Sequence, residues 1–302
     1  MSAKEHFTVT ASDGKARCGL LKTRHGTVET PVFMPVATQG TVKALASDDL
    51  EALGIKAILS NSYHLGLRPG PEVVEAHGGL HGFMRFKGAI LTDSGGYQVF
   101  SLADLRRVED KGVVFKSHLD GSPRFLTPEN VIELQAKLGS DMWTTLDECP
   151  PYPCTPQEAK KALERTMRWT DRSVAAFQAE DARTGGGHLF FPILQGSMDP
   201  ALRREAAAHI ATVDPDGVSI GGFSVGESKE QTWHALEHAV DALPPGLPRY
   251  LMGMGAPEDL WDAVALGVDM LDCVWPTRTA RNGLIMTSKG RLNIKNGSHK
   301  LD

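Results

Sequence analysis

Eight near-continuously apolar runs, each separated from the next by a helix or helical turn, constrain this chain more than any other feature. They read VFMPVAT (32–38), AILSNS (57–62), AILTDSGG (89–96), MWTTLDEC (142–149), LFFPILQG (189–196), GVSIGGFS (217–224), RYLMGM (249–254) and DMLDCV (269–274). Runs without polar alternation suit parallel strands buried on both faces. Eight such units predict an α/β chain folded as a (β/α)8 TIM barrel, because an open doubly wound sheet rarely reaches eight regular units. Helix signals lie between the runs. Ser47 is expected to cap a short helix to Leu53, and Pro71 starts another over 71–77. Thr127 caps a helix over 128–138 with Pro128 in its first turn, and a long helix runs from Pro156 to about Glu180. Further helices are predicted over 200–211, 229–242 and 257–266. The first 30 residues predict antiparallel strands turning at Asp13-Gly14, and 98–127 an inserted hairpin turning at Asp120-Gly121. Both decorate a single domain over 1–302.

Composition narrows the class. With 41% hydrophobic and 23% charged residues, the chain can bury a large core. The N-terminus MSAKEHFTVT lacks the apolar stretch of a signal peptide, and no run approaches a membrane span. Cys18, Cys149, Cys154 and Cys273 show no CxxC spacing, so reduced thiols and a cytoplasmic setting are expected. Net charge is −5, but unevenly spread. Residues 276–302 hold six Lys or Arg against one acid, while the rest holds 26 basic residues against 36 acidic. An acidic body with a basic C-terminal segment fits a local anionic contact; a merely solvated tail fits too.

In such barrels the chemistry sits at the C-terminal ends of the strands. Those ends carry Asn61, Asp93, Asp147 with Glu148, Gln195, Gly221-Gly222, Met252-Gly253 and Asp272. Any one of these could cap a loop, but the repetition predicts one polar pocket. Its carboxylates, carboxamide and glycine amides would suit the edge of a heterocycle. Tyr97, after the turn Asp93-Ser94-Gly95-Gly96, would stack on a flat base or fill the core. Asp93 and Asp272 could divide the cleavage of an N-glycosidic bond, one attacking the sugar carbon and the other handling the proton. Asp272 is followed by a loop that breaks at Pro276 and carries Arg278 and Arg281, whose forks suit phosphate or purine edges. Taken alone, that stretch reads better as a strand-end Asp capping a loop with two solvated arginines. His234 and His238 lie in HALEH rather than HExxH, so they are read as solvent-facing.

These residues also carry a resemblance. ILTDSGGYQVFSL (90–102), GVVFKSHLDGS (112–122), LGSDMWTTLDECPPYP (138–153), ILQGS (193–197), GGFSVGE (221–227), YLMGMGAPEDL (250–260) and LDCVWPTRTARNG (271–283) closely resemble the bacterial tRNA-guanine transglycosylases, the queuine tRNA-ribosyltransferase family. The resemblance spans nearly the whole chain. It implies a pentosyltransferase that binds a tRNA anticodon loop and flips out the wobble guanine of GUN anticodons (Asp, Asn, His, Tyr). It would exchange that guanine for 7-aminomethyl-7-deazaguanine in queuosine biosynthesis. By the same resemblance Asp272 is the nucleophile, giving a covalent ribosyl intermediate, and Asp93 is the general acid/base. The base pocket would comprise Asp93, Ser94, Gly95, Gly96, Tyr97, Asp147, Gln195 and Gly222. RNA contacts would come from Gly253, Met254, Gly255, Ala256, Pro257, Glu258 and Asp259, and from Thr277, Arg278, Thr279, Ala280 and Arg281.

The chain departs from the family's pattern in three places. GGFSVGE has Phe223-Ser224 where Leu-Ala is usual, and Asp147 lies in TTLDEC rather than AFDEC. Members also continue into a module whose three cysteines and a histidine hold zinc; that module is expected to be absent here, leaving no metal ligands and the family's homodimer open. No cofactor is expected to be needed for the chemistry. The helix after the eighth strand is expected to be missing, since NGLIMTSKGRLNIKNG reads as strand and turn. The alternatives are an accessory homologue that binds tRNA without catalysis and a barrel glycoside hydrolase. The presence of both Asp93 and Asp272 argues against the first, and the basic segment against the second.

Overall fold

The computed structural model describes residues 6–102 and 106–301. Residues 103–105 of the expected insertion lie outside them. The central sheet has nine hydrogen-bonded segments, and two of these, Leu189–Phe191 and Ile193–Leu194, are halves of one strand divided at Pro192. Proline has no N–H for the ladder, so the strand changes partner there. Its first half pairs with Met142–Thr144 and its second with Val218–Ile220. The sheet therefore closes as a parallel barrel. In order, its strands are Val32–Ala37, Ala57–Asn61, Ala89–Asp93, Met142–Thr144, the divided strand, Val218–Ile220, Arg249–Leu251 and Met270–Cys273, with the last paired back to the first. Ala57–Asn61 and Ala89–Asp93 are buried at every position, as strands covered on both faces require.

Local chemistry sets the outer elements. The helix Pro128–Leu138 starts where Thr127 accepts the Asn130 amide and Asn130 returns the bond to the Thr127 amide. The long helix Pro156–Arg183 opens with the same reciprocal pair, Thr155 and Glu158. Asp199 caps Pro200–Ile210, and Ser228 caps Lys229–Ala242. Ser47 is a correction. It is the first helical residue rather than the cap, and its hydroxyl donates to the Met84 carbonyl, while Asp49 accepts the Ala46 amide. The insertion is larger than a hairpin: Arg106–Glu109, Gly112–Lys116 and Pro123–Leu126 form three antiparallel strands, with the expected turn at Asp120-Gly121.

The C-terminal stretch needs a second correction. Trp275–Arg281 is a helix, not a loop, so a helix does follow the eighth strand. Pro276 lies in its first turn, where a missing N–H costs nothing. Beyond it the stretch expected as strand and turn forms a hairpin, Leu284–Thr287 with Gly290–Asn293.

At the opposite end of the barrel sits the N-terminal antiparallel sheet, Phe7–Asp13, Ala16–Thr23 and Gly26–Thr30. Leu21 and Val28 share one apolar cluster with Met34, Leu91, Phe191 and Met270 of the barrel strands, so this sheet plugs the bottom of the barrel. A buried ion pair fastens the plug. Arg17 meets both Asp269 oxygens at 2.8 and 2.6 Å and donates to the Pro245 and Leu247 carbonyls. Asp269 also accepts the Arg249 amide, which joins the clamp to the seventh strand.

Removing one partner of a buried pair leaves the other uncompensated. Arg17→Met is expected to lower stability by about 3–5 kcal/mol in urea denaturation. Arg17→Lys, which keeps the charge without the fork, is expected to recover only part of that loss. A loss under about 1 kcal/mol for Arg17→Met would show that the clamp does not hold the plug.

Candidate active site at the C-terminal mouth of the barrel

The strand ends gather the predicted polar residues on one rim. Pairing of Ala57–Asn61 with Ala89–Asp93 sets Asn61 opposite Asp93, and the Asn61 amide donates to Asp93 Oδ2 at 2.6 Å. The other oxygen, Oδ1, is buried without a partner among the described residues. Burial pushes the Asp93 carboxyl up to about 7; the charge of Asp272 adds to the rise, and the Asn61 bond opposes it. Asp93 thus sits near half-protonation at neutral pH.

Asp272 is held differently. Tyr250 pairs with Met270, two residues before Asp272, so all three side chains lie on the same face of the sheet. The Tyr250 hydroxyl donates to Asp272 Oδ1 at 2.5 Å, and the Gly253 amide donates to the same oxygen at 2.8 Å. Both donors take one oxygen and leave Oδ2 without a protein donor among the described residues. Burial raises the Asp272 carboxyl, and these two bonds draw it back. The Tyr250 phenol, buried beside a carboxylate, stays protonated far above its usual range. Sequence reasoning missed Tyr250. A tyrosine inside an apolar strand signals that its hydroxyl needs a partner, but not which one.

Asp147 completes a third buried acid. Its Oδ2 accepts from Gln195 Nε2 at 2.7 Å, and Ser94 approaches Oδ1 more loosely at 3.4 Å. Burial pushes its carboxyl up to about 6. The Gln195 Oε1 atom is buried and has no partner among the described residues. Two glycines are forced by this packing. A Cβ on Gly222, whose φ is +79°, would lie 2.3 Å from Gln195 Oε1; one on Gly96 would lie 2.7 Å from Asp147 Oδ1. Gly95 turns at φ +78° against Tyr63 and delivers Tyr97 into the first turn of Gly96–Leu102. Tyr97 is 50% exposed, which removes the core alternative and leaves the ring free to stack.

The two expected RNA-contacting stretches differ. Met254 packs in the core, Gly255 lies against Cys273 and Phe33, and Asp259 is buried against Lys229 at 2.5 Å. Gly253, Pro257 and Glu258 are exposed and Ala256 half-buried. On the helix Trp275–Arg281, Arg278, Ala280 and Arg281 are exposed, while the Thr277 and Thr279 hydroxyls are turned back onto helix carbonyls. Arg281 also reaches the Lys43 carbonyl at 3.4 Å, linking this helix to the rim beyond the first strand.

One group of possible metal ligands exists among the described residues: His25, His81 and Asp141, near the plugged end. Its geometry does not suit a metal. The imidazoles stack at 3.4 Å and 15°, so their in-plane lone pairs cannot meet at one ion. Each instead faces an Asp141 oxygen, at 2.7 Å from His25 and 3.2 Å from His81. None of the four free cysteines belongs to this group. No helix among the described residues is long and apolar enough to cross a membrane.

Comparison with known proteins finds relatives along nearly the whole chain. The family profile described as queuine tRNA-ribosyltransferase matches residues 12–302. A queuine tRNA-ribosyltransferase of Desulforudis audaxviator is 50% identical over 298 residues, covering 98% of this chain and 79% of that protein. One of Oleidesulfovibrio alaskensis is 50% identical, covering 98% and 77%. One of Herpetosiphon aurantiacus is 51% identical, covering 97% and 73%. The chain belongs to the queuine tRNA-ribosyltransferase family.

Proposed function

We propose that this chain is a tRNA-guanine transglycosylase that exchanges the wobble guanine of tRNA for 7-aminomethyl-7-deazaguanine through a covalent Asp272–ribose intermediate. The observation that carries the reading is the asymmetric hydrogen bonding of Asp272, with both donors on Oδ1. This fixes the carboxylate and leaves Oδ2 to attack the ribose C1′. As the C1′–N9 bond breaks, guanine leaves with its electron pair and takes a proton from Asp93. The incoming base then gives its N9 proton to Asp93 and displaces Asp272 from C1′, which restores both acids. An acid titrating at about 7 can serve in both directions. Asp147, Gln195 and the Gly222 amide read the base edge, and Tyr97 stacks on the flipped base. The exposed members of the two RNA-contacting stretches, Arg278 and Arg281 above all, hold the anticodon loop. Zinc takes no part in this chemistry.

Asp272→Asn keeps the shape of the side chain and removes the attacking charge. It is expected to abolish the denaturant-resistant tRNA adduct while the free base still binds; an adduct that survives in this variant rules out Asp272 as nucleophile.

The proton economy sets the pH dependence. Adduct formation needs protonated Asp93 and is expected to weaken as pH rises through about 7, whereas base incorporation into preformed adduct needs the carboxylate and is expected to strengthen across the same range. Asp93→Asn should flatten both limbs in rapid-quench measurements. Stability carries the opposite sign to the usual acid. Between the unfolded value of 3.8 and about 7 the folded chain binds the Asp93 proton more tightly, so stability falls as pH rises through that window. Asp93→Asn is therefore expected to melt higher than the parent at pH 8, and equal melting there would contradict the buried-carboxylate account.

For the RNA contact, Arg278→Ala or Arg281→Ala is expected to weaken tRNA binding. A base-reading arginine would cost about 1–3 kcal/mol at all salt concentrations, and a phosphate contact would cost less and vanish in high salt. Unchanged binding in both variants would remove this helix from the interface.

A further inference from the structure

We infer that Arg203 is a positioning residue for base selection, aiming the Gly222 amide and the Gln195 segment at the base through a guanidinium bonded to the backbone of both. The inference rests on the functional reading above and deepens it.

Arg203 lies on the helix Pro200–Ile210 and has no solvent exposure. Among the described residues no carboxylate forms an ion pair with it; its partners are carbonyls and one aromatic ring. Nε donates to the Ser197 carbonyl at 2.8 Å, and Nη1 to the Leu194 carbonyl at 3.2 Å and the Gly221 carbonyl at 2.7 Å. Nη2 approaches the Gly222 carbonyl at 3.5 Å, and the guanidinium carbon lies 4.1 Å from the centre of the Phe223 ring. Burying a cation without a carboxylate is costly. Burial lowers its pKa to about 9, so it is still charged at neutral pH.

The bonds explain what this charge does. Leu194 and Ser197 flank Gln195, and Gly221 and Gly222 form the glycine pair after the sixth strand. One planar fork therefore joins the exits of two neighbouring strands. In a trans peptide the C=O and the next N–H point in opposite directions. With the Gly221 carbonyl fixed on Arg203, the Gly222 N–H must point away from it. Ser197 has φ +52°, a conformation that costs a non-glycine residue and needs external support. Phe223, one of the departures from the family's usual sequence, covers the guanidinium on its flat side. It thereby gives this chain a cation–π contact that a leucine could not make.

The test measures binding rather than turnover. Affinity for 7-aminomethyl-7-deazaguanine is read by calorimetry, and affinity for tRNA by filter binding. Arg203→Met, Arg203→Lys, Phe223→Leu and a neighbouring exposed control, Arg204→Gln, are compared with the parent. Arg203→Met is expected to weaken base binding at least tenfold while tRNA affinity stays within twofold. Arg203→Lys, which cannot bridge both segments, is expected to fall between it and the parent, and serves alone if the methionine variant does not fold. Phe223→Leu is expected to weaken base binding about threefold, and Arg204→Gln not at all. Base affinity within twofold of the parent in the folded Arg203 variants would overturn the inference, as would equal losses toward base and tRNA. A parent that binds tRNA but no base would overturn the functional reading and this inference with it.

Discussion

A parallel sheet closed on itself has no edge, and every strand ends on the same rim. Closure is the constraint on which this structure depends. It is completed at Pro192, where one strand leaves its first partner and takes up the next. Because of it, Asn61, Asp93, Asp147, Gln195, Gly222 and Asp272 come from distant parts of the sequence and converge without any local motif joining them. The plug at the other end leaves this rim as the barrel's open face.

Convergence creates an electrostatic problem, since three carboxylates are buried at one mouth. The solution differs at each. Asp272 receives two donors on one oxygen, Asp147 a carboxamide and a distant hydroxyl, and Asp93 a carboxamide with further help from the Ser62 and Gly95 backbone. On the roles proposed above, Asp272 is fixed through one oxygen for attack, and Asp93, which would exchange protons, is pushed up to about 7.

The barrel was legible because its signals are local. Apolar runs, capping threonines followed by proline, and Asp-Gly turns act within a few residues of one another. The acids of the mouth were legible because they sit at run ends. What escaped depends on partners far away in sequence. Tyr250 gains meaning only beside Asp272, and Arg203 only where two strand exits meet. The stretch after Asp272 was misread for another reason. Pro276 reads as a breaker, yet its place in a first turn makes it compatible with a helix. Likewise Ser47 looked like a cap, but its hydroxyl is used by a carbonyl 37 residues away.

The Arg17–Asp269 clamp has a consequence for how the chain assembles. Its partners are separated by 252 positions, with almost the whole barrel between them. The plug is made first during synthesis, yet its arginine finds its carboxylate only when the eighth strand has emerged. Until then the N-terminal sheet lacks its buried ion pair and the barrel its last wall. Such long-range closure is slow, because a large loop must be ordered before the contact rewards it. The chain is therefore left with unpaired strand edges for most of its synthesis, and its yield in a cell depends on what shields those edges during that interval.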